Sequence, residues 1–190
     1  MSTFGQASGV INSGYHDLTA HYNGYFIARE KIKEIEAGIF DKYKWDYNRT
    51  LPVFAPFDTT DSKSLETTLL DCIEKASIAI QRHPESKWQD DAYILVGKAR
   101  LYGSEFSEAI ETFKWINKFG ENKDIQHLAL SELIRTFCEA HEYQNAQAVI
   151  AYLENEKLSD DNQLIYYLNR AYYYQKDEVN AAVAENLEIA

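Results

Sequence analysis

HPESKWQDDAYILVGKARLYGSEFSEAIETF, residues 83–113, holds no nucleophile paired with a base, no metal-ligand spacing and no phosphate-cradling loop, yet small, aromatic and breaker residues recur in it at helical intervals. Pro84 predicts the end of a preceding helix, because the residue before a proline is driven out of the helical region. Ser86 and the acids Asp90 and Asp91 suit the start of the next helix through capping and the helix dipole. Trp88 supplies a broad apolar face that can anchor the linker. Tyr93, Val96, Gly97 and Arg100 then follow at three- and four-residue steps, and after the break Gly103-Ser104-Glu105 so do Phe106, Ala109 and Phe113. This predicts two helices joined by a tight turn, with Gly97 and Ala109 where the helices approach and Phe106 and Phe113 filling the hairpin.

The same marks return downstream. Phe106-x-x-Ala109, Tyr143-x-x-Ala146 and Val179-x-x-Ala182 are spaced 37 and then 36 positions apart, each after a short polar break. A period of that length predicts stacked helical hairpins sharing a continuous core. The order of large, small, large, Ala and Phe resembles the tetratricopeptide repeat, with Arg100 standing where an aromatic is usual. The second unit supplies Leu130, Leu133, Phe137, Ala146 and Ile150 but puts Ile134 at the small position, which predicts a slightly splayed hairpin. The third fits least well, and its first helix can be registered two ways. The expected fold class is all-α, a tetratricopeptide-type helical-hairpin solenoid with a long N-terminal helix; a plain helical bundle is the competing reading.

Upstream, Tyr22, Tyr25, Phe26, Ile32, Ile35, Ile39 and Tyr43 recur at three- and four-residue steps and predict an amphipathic helix over 17–44. WDYNRTLPVFAPFDTTDSK, residues 45–63, has two prolines and no sustained period, so it reads as a connection, with Asp61 or Ser62 as the cap of the helix after it. A connection this long is more often functional or packed than idle. Leu65, Leu69, Cys72 or Ile73, Ala76 and Ile80 mark the inward face of that second helix. The resulting division is a flexible N-terminus over 1–15, an atypical helical hairpin with a long loop over 16–83, and repeats over 84–190, at about 87–123, 124–158 and 159–190. Ala182, Val183, Leu187 and Ile189 keep the last helix apolar where solenoids carry a polar cap, so the array is expected to continue beyond this chain.

The charge balance excludes one class of partner. With 19 Lys+Arg against 30 Asp+Glu the chain carries −11, and a phosphate backbone would meet repulsion. No apolar run reaches the length of a membrane helix, and the N-terminus lacks the basic and apolar regions of a signal peptide. Cys72 and Cys138 form no metal or disulfide framework. The five histidines, His16, His21, His83, His127 and His141, share no helical face and have no ligand-spaced partners, so surface or capping roles are expected. No metal, cofactor or catalytic group is predicted. The consecutive tyrosines among Tyr166, Tyr167, Tyr172, Tyr173 and Tyr174 cannot all face inward, so one or two are expected to be exposed.

In such an array the first helix of each hairpin lines the inner face. The register above places there Asp91, Ile94, Lys98, Leu101 and Tyr102, then Leu128, Ser131, Arg135 and Glu139, then Leu164, Tyr167 and Tyr174. That mixture suits a groove for a peptide or helix with aromatic anchors, open to a partner, although neighbouring repeats could fill it instead. Only Lys98 and Arg135 are available as cations, too few for the carboxylate grip of a chaperone-binding domain.

Three segments carry a more specific likeness. GYHDLTAHYNGYFIAREKIKEI, then DYNRTLPVF, then RHPESKWQDDAYILVGKARLY together resemble the N-terminal part of the tetratricopeptide lipoproteins of the type IX secretion and gliding-motility machinery, the SprE/PorW type. That resemblance implies a non-enzymatic scaffold at the periplasmic face of the outer membrane, with other proteins of the machinery as partners. It implies membrane attachment only through a lipidated cysteine that this chain lacks. A generic tetratricopeptide adaptor or cochaperone-like module stays open as the alternative, as does a subunit of an enzyme whose active residues lie elsewhere.

Overall fold

The computed structural model describes residues 24–82 and 86–176. Among them the chain is all-helical: α1 Phe26–Lys42, α2 Thr59–Arg82, α3 Gln89–Tyr102, α4 Phe106–Phe119, α5 Lys123–Glu139, α6 Tyr143–Leu153 and α7 Asp160–Lys176. Each helix touches the next, and α1, α3, α5 and α7 also touch in succession. Those four therefore form one layer, and α2, α4 and α6 form the other.

Two cores meet at α3. Ala92, Leu95, Val96, Ala99 and Tyr102 pack with α1 and α2, whereas Ile94 and Leu101 pack with α4 to α7. A helix buried on both flanks ties the first hairpin to the rest. In α1 the buried stripe is Ala28, Ile32, Ile35 and Ile39, the period the sequence predicts. Phe26, expected on that stripe, is exposed, and residues 17–23 of the expected helix lie outside the described ones.

Helix starts follow capping chemistry. Asp58, not Asp61 or Ser62, caps α2: its Oδ1 accepts from the amides of Thr60 and Asp61 at 2.7 and 3.0 Å. Ser62 is instead buried, its hydroxyl donating to the Tyr102 carbonyl at 2.8 Å. Ser86 Oγ accepts from Trp88 N–H at 3.2 Å ahead of α3, and Trp88 stacks on Tyr25 at 5.0 Å between centroids. Asn122 caps α5 through Ile125 N–H.

The two breaks are closed by the same hydrogen bonds, 37 positions apart. Glu105 N–H reaches Arg100 C=O and Ser104 N–H reaches Leu101 C=O; Glu142 N–H reaches Phe137 C=O and His141 N–H reaches Cys138 C=O. Ser104 and His141 hold φ of 61° and 60°. This is a Schellman closure with a left-handed residue after each helix, and it folds α4 and α6 back in the same way. Between α3 and α4, Ala109 and Phe113 are fully buried, and Phe106 and Tyr143 are half-buried against the core. Ala146 and Ile150 repeat the first pair in the second hairpin. Ile134, at the position of Gly97, is accommodated fully buried. The third mark, Val179-x-x-Ala182, and the apolar residues beyond it lie outside the described residues.

Candidate functional site

The inner layer carries a polar network that crosses three helices. Lys98 on α3 meets the Glu36 carboxylate of α1 at 2.6 Å, and Tyr102 donates to the same oxygen at 2.9 Å. Arg135 on α5 donates to Tyr102 at 3.0 Å. Farther along, Tyr172 of α7 donates to Glu139 of α5, and Lys176 pairs with the same carboxylate at 3.6 Å.

Burial would by itself raise the Glu36 carboxyl, but Lys98, by charge and by hydrogen bond, with Tyr102 and Arg135, holds it below its ordinary 4.5. Burial opposes the charge of Lys98, yet Glu132, Tyr102 and Glu36 outweigh it and hold the ammonium above its usual value. The Tyr102 hydroxyl is pushed up by burial. Each of these charges has a partner, and none is poised for proton transfer near neutrality.

Exposure, which an open groove requires of Lys98, Tyr102 and Arg135, is not what the structure has. Tyr102 is 3% and Arg135 6% exposed, and Ile94 and Leu101 are buried in the core. The cause is the connection between α1 and α2. Residues 51–57 run as a strap across the inner layer, with Gln175 of α7 clamping its main chain: Nε2 donates to Leu51 C=O at 3.0 Å and Oε1 accepts from Val53 N–H at 2.9 Å. The Phe54 ring lies over the Arg135 guanidinium at 4.0 Å and edge-on to Tyr172 at 5.2 Å. Phe57 meets Tyr102 edge-on at 5.4 Å. The chain thus occupies its own inner face.

Beside the strap remains a cavity of about 360 Å³, bounded by α1, α3, α5 and α7 and lined among others by Trp45, Phe54, Lys98, Glu132, Arg135 and Asn169. Asp91 and Leu128 lie farther along, in a second depression with Asp90, Asp124 and Ile165. Burial, then Asp90, push the Asp91 carboxyl up.

On α7 the expected register is one residue off. Ile165, Leu168, Asn169 and Tyr172 face the network or line its cavity, whereas Leu164 is exposed. Tyr167 and Tyr174 are half-buried on other flanks, Tyr174 within 5.6 Å of Arg170, which pairs with Glu154 after α6. One residue is a rotation of about 100° on a helix, enough to turn a side chain off the face. The 37-residue period carries the signal that resolves it, since Asp91, Leu128 and Ile165, or Lys98, Arg135 and Tyr172, are equally spaced. Gln175 has no such local signal.

The tyrosine expectation is corrected with it: Tyr166, Tyr172 and Tyr173 are buried and Tyr167 and Tyr174 half-buried, because α5 and the strap cover α7. His127 is likewise buried rather than at the surface, 3.5 Å from Glu156. Arg100 reaches across the first hairpin to Thr112 Oγ1 at 2.7 Å. Burial, then the charge of Asp71, push the Cys72 thiol up to about 12, which leaves it a poor nucleophile. Among the described residues no group of three or more His, Cys, Asp and Glu is placed to hold a metal ion, and no helix is long and apolar enough to cross a membrane.

No protein-family model matches the chain, and no curated protein matches it.

Proposed function

We propose that this chain is a non-enzymatic protein–protein interaction scaffold of the tetratricopeptide type, serving the type IX secretion and gliding machinery at the periplasmic face of the outer membrane. The observation that carries the scaffold reading is the pair of hairpins closed by identical hydrogen bonds 37 positions apart. Stacked hairpins of that kind present extended concave surfaces suited to binding other proteins. Support for the secretion assignment is the resemblance of GYHDLTAHYNGYFIAREKIKEI, DYNRTLPVF and RHPESKWQDDAYILVGKARLY to that lipoprotein group, two of whose segments supply the strap and α3. Attachment to the membrane, as the resemblance implies, would be through a lipid anchor.

The test is co-purification of the tagged chain from the native envelope, with retained proteins identified by mass spectrometry. Secretion and gliding components are the expected partners. Retention of cytosolic chaperones alone would replace this reading with that of a generic adaptor.

A further inference from the structure

The strap is held by the kind of contacts a protein uses to hold a separate peptide. Gln175 holds the main chain on both sides of Pro52, accepting from Val53 N–H and donating to Leu51 C=O, independently of the strap's side chains and across 122 and 124 positions of sequence. Pro52 and Pro56 flank the seated residues and keep them out of helical conformation, which lowers the entropy lost on docking. Phe54 supplies an aromatic anchor to a guanidinium and a tyrosine, and Phe57 supplies a second to Tyr102.

The fit is incomplete. Arg135 Nε, Asn169 Oδ1 and Trp45 Nε1 are buried with no hydrogen-bond partner among the described residues, and Arg135 and Asn169 are only 6% and 2% exposed. Two unmet donors and one unmet acceptor line a wall where Glu36 and Glu132 already balance Lys98 and Arg135. A ligand with both carbonyl and amide groups and no net charge answers that set, and the cavity beside the strap has room for side chains the strap lacks.

We propose that residues 51–57 are an internal peptide ligand, and that the inner face they cover binds an extended, uncharged segment of a partner protein bearing proline and an aromatic anchor. The proposal deepens the scaffold reading and rests on it for its use. Displacement of the strap by such a segment exposes Gln175 and Arg135 to the incoming main chain. A tethered ligand competes at high effective concentration, so the intact protein binds the same peptide weakly from solution.

The experiment uses the 190-residue chain and a fluorescent, end-blocked peptide of sequence TLPVFAPF, the chain's own residues 50–57. Anisotropy titration should show Phe54→Ala binding it at least about tenfold more tightly than the unsubstituted chain, by removing the competing anchor, and Phe54→Ala/Gln175→Leu losing that gain. Equal weak binding by the unsubstituted chain and a helical Phe54→Ala variant would overturn the proposal, as would binding indifferent to Gln175. Hydrogen exchange on the unsubstituted chain decides the matter should Phe54→Ala not fold: excess peptide should speed exchange at the Val53 amide, and unchanged protection there would overturn the proposal. Peptide binding without envelope partners refutes only the secretion assignment; envelope partners without peptide binding refute only the groove.

Discussion

The Phe113 ring lies where a side chain on Gly97 would have to go: a Cβ built on Gly97 meets two ring carbons at 2.6 Å. Glycine at this mid-helix position therefore serves close approach of α3 and α4. Gly97→Ala should destabilise the chain by roughly 1–3 kcal/mol through overpacking, in spite of alanine's better helix propensity. Phe113→Ala should cost about 3–5 kcal/mol through the cavity it leaves. Combining Gly97→Ala with Phe113→Leu should cost less than the sum of the single changes, since the pair is in contact. Urea unfolding checks all three, and a gain of stability in Gly97→Ala alone would contradict the packing.

The hairpins were legible because the residues that close them are local: Gly97, Ala109 and Phe113 fall within one helix-turn-helix, and the aromatic-x-x-Ala mark of Phe106 returns at Tyr143, 37 positions on. The inner face was legible as a set of positions, Lys98, Tyr102 and Arg135 among them, but not as an open surface. What covers them is a segment without periodicity, and its clamp, Gln175, is over 120 positions away. The register of α7 failed for a related reason. Its tyrosines and leucines are apolar all round, so local hydrophobicity cannot choose between adjacent faces, and only the period carried down from Asp91 and Leu128 can.

His141 closes the second hairpin in a left-handed conformation, φ 60°, that glycine adopts without strain. Its exposed ring meets the Tyr143 hydroxyl across the turn at 3.3 Å. His141→Gly should raise stability by about 0.5–1 kcal/mol, read as a higher urea midpoint at unchanged slope. A loss would mean that the histidine contributes more to the turn than its backbone costs. Ser104→Gly should gain less, because Ser104 Oγ also bonds Ser62 at 2.8 Å.

Glu36 gives the chain an acid-side dependence. Its carboxyl titrates below 4.5 in the folded state, so the stabilisation it contributes is present above that value and is lost as pH falls through the folded one. Glu36→Gln should lower the thermal midpoint near neutral pH and flatten its decline on acidification below pH 4.5. Parallel decline in both proteins would show that Lys98 does not depend on this partner.

Asp91 works in the opposite sense. Burial, with Asp90 beside it, raises its carboxyl above the ordinary 3.8, so ionisation costs stability above that pH and protonation relieves the cost. Asp91→Asn should raise the urea midpoint at pH 7 and change it little at pH 3. A lower midpoint at pH 7 would mean that attraction to the start of α3 outweighs the burial.

Arg135 separates an occupied inner face from an open one. On an exposed groove, reversing its charge would cost less than about 1 kcal/mol. In the structure its guanidinium lies between Phe54 and Tyr102, bonds the Tyr102 hydroxyl, and faces the charge of Glu132. Arg135→Glu removes the cation and adds a carboxylate to a buried site, a loss of roughly 3–5 kcal/mol. Arg135→Lys keeps the charge but not the planar stack on Phe54, and should cost about 1–2 kcal/mol. Lys114→Glu, at a side chain 54% exposed that pairs with Glu111 one turn away, should cost under about 1 kcal/mol and sets the scale for a surface reversal. Urea unfolding of the three variants should rank them in that order, and an Arg135→Glu cost equal to that of Lys114→Glu would mean that the strap leaves Arg135 open to solvent.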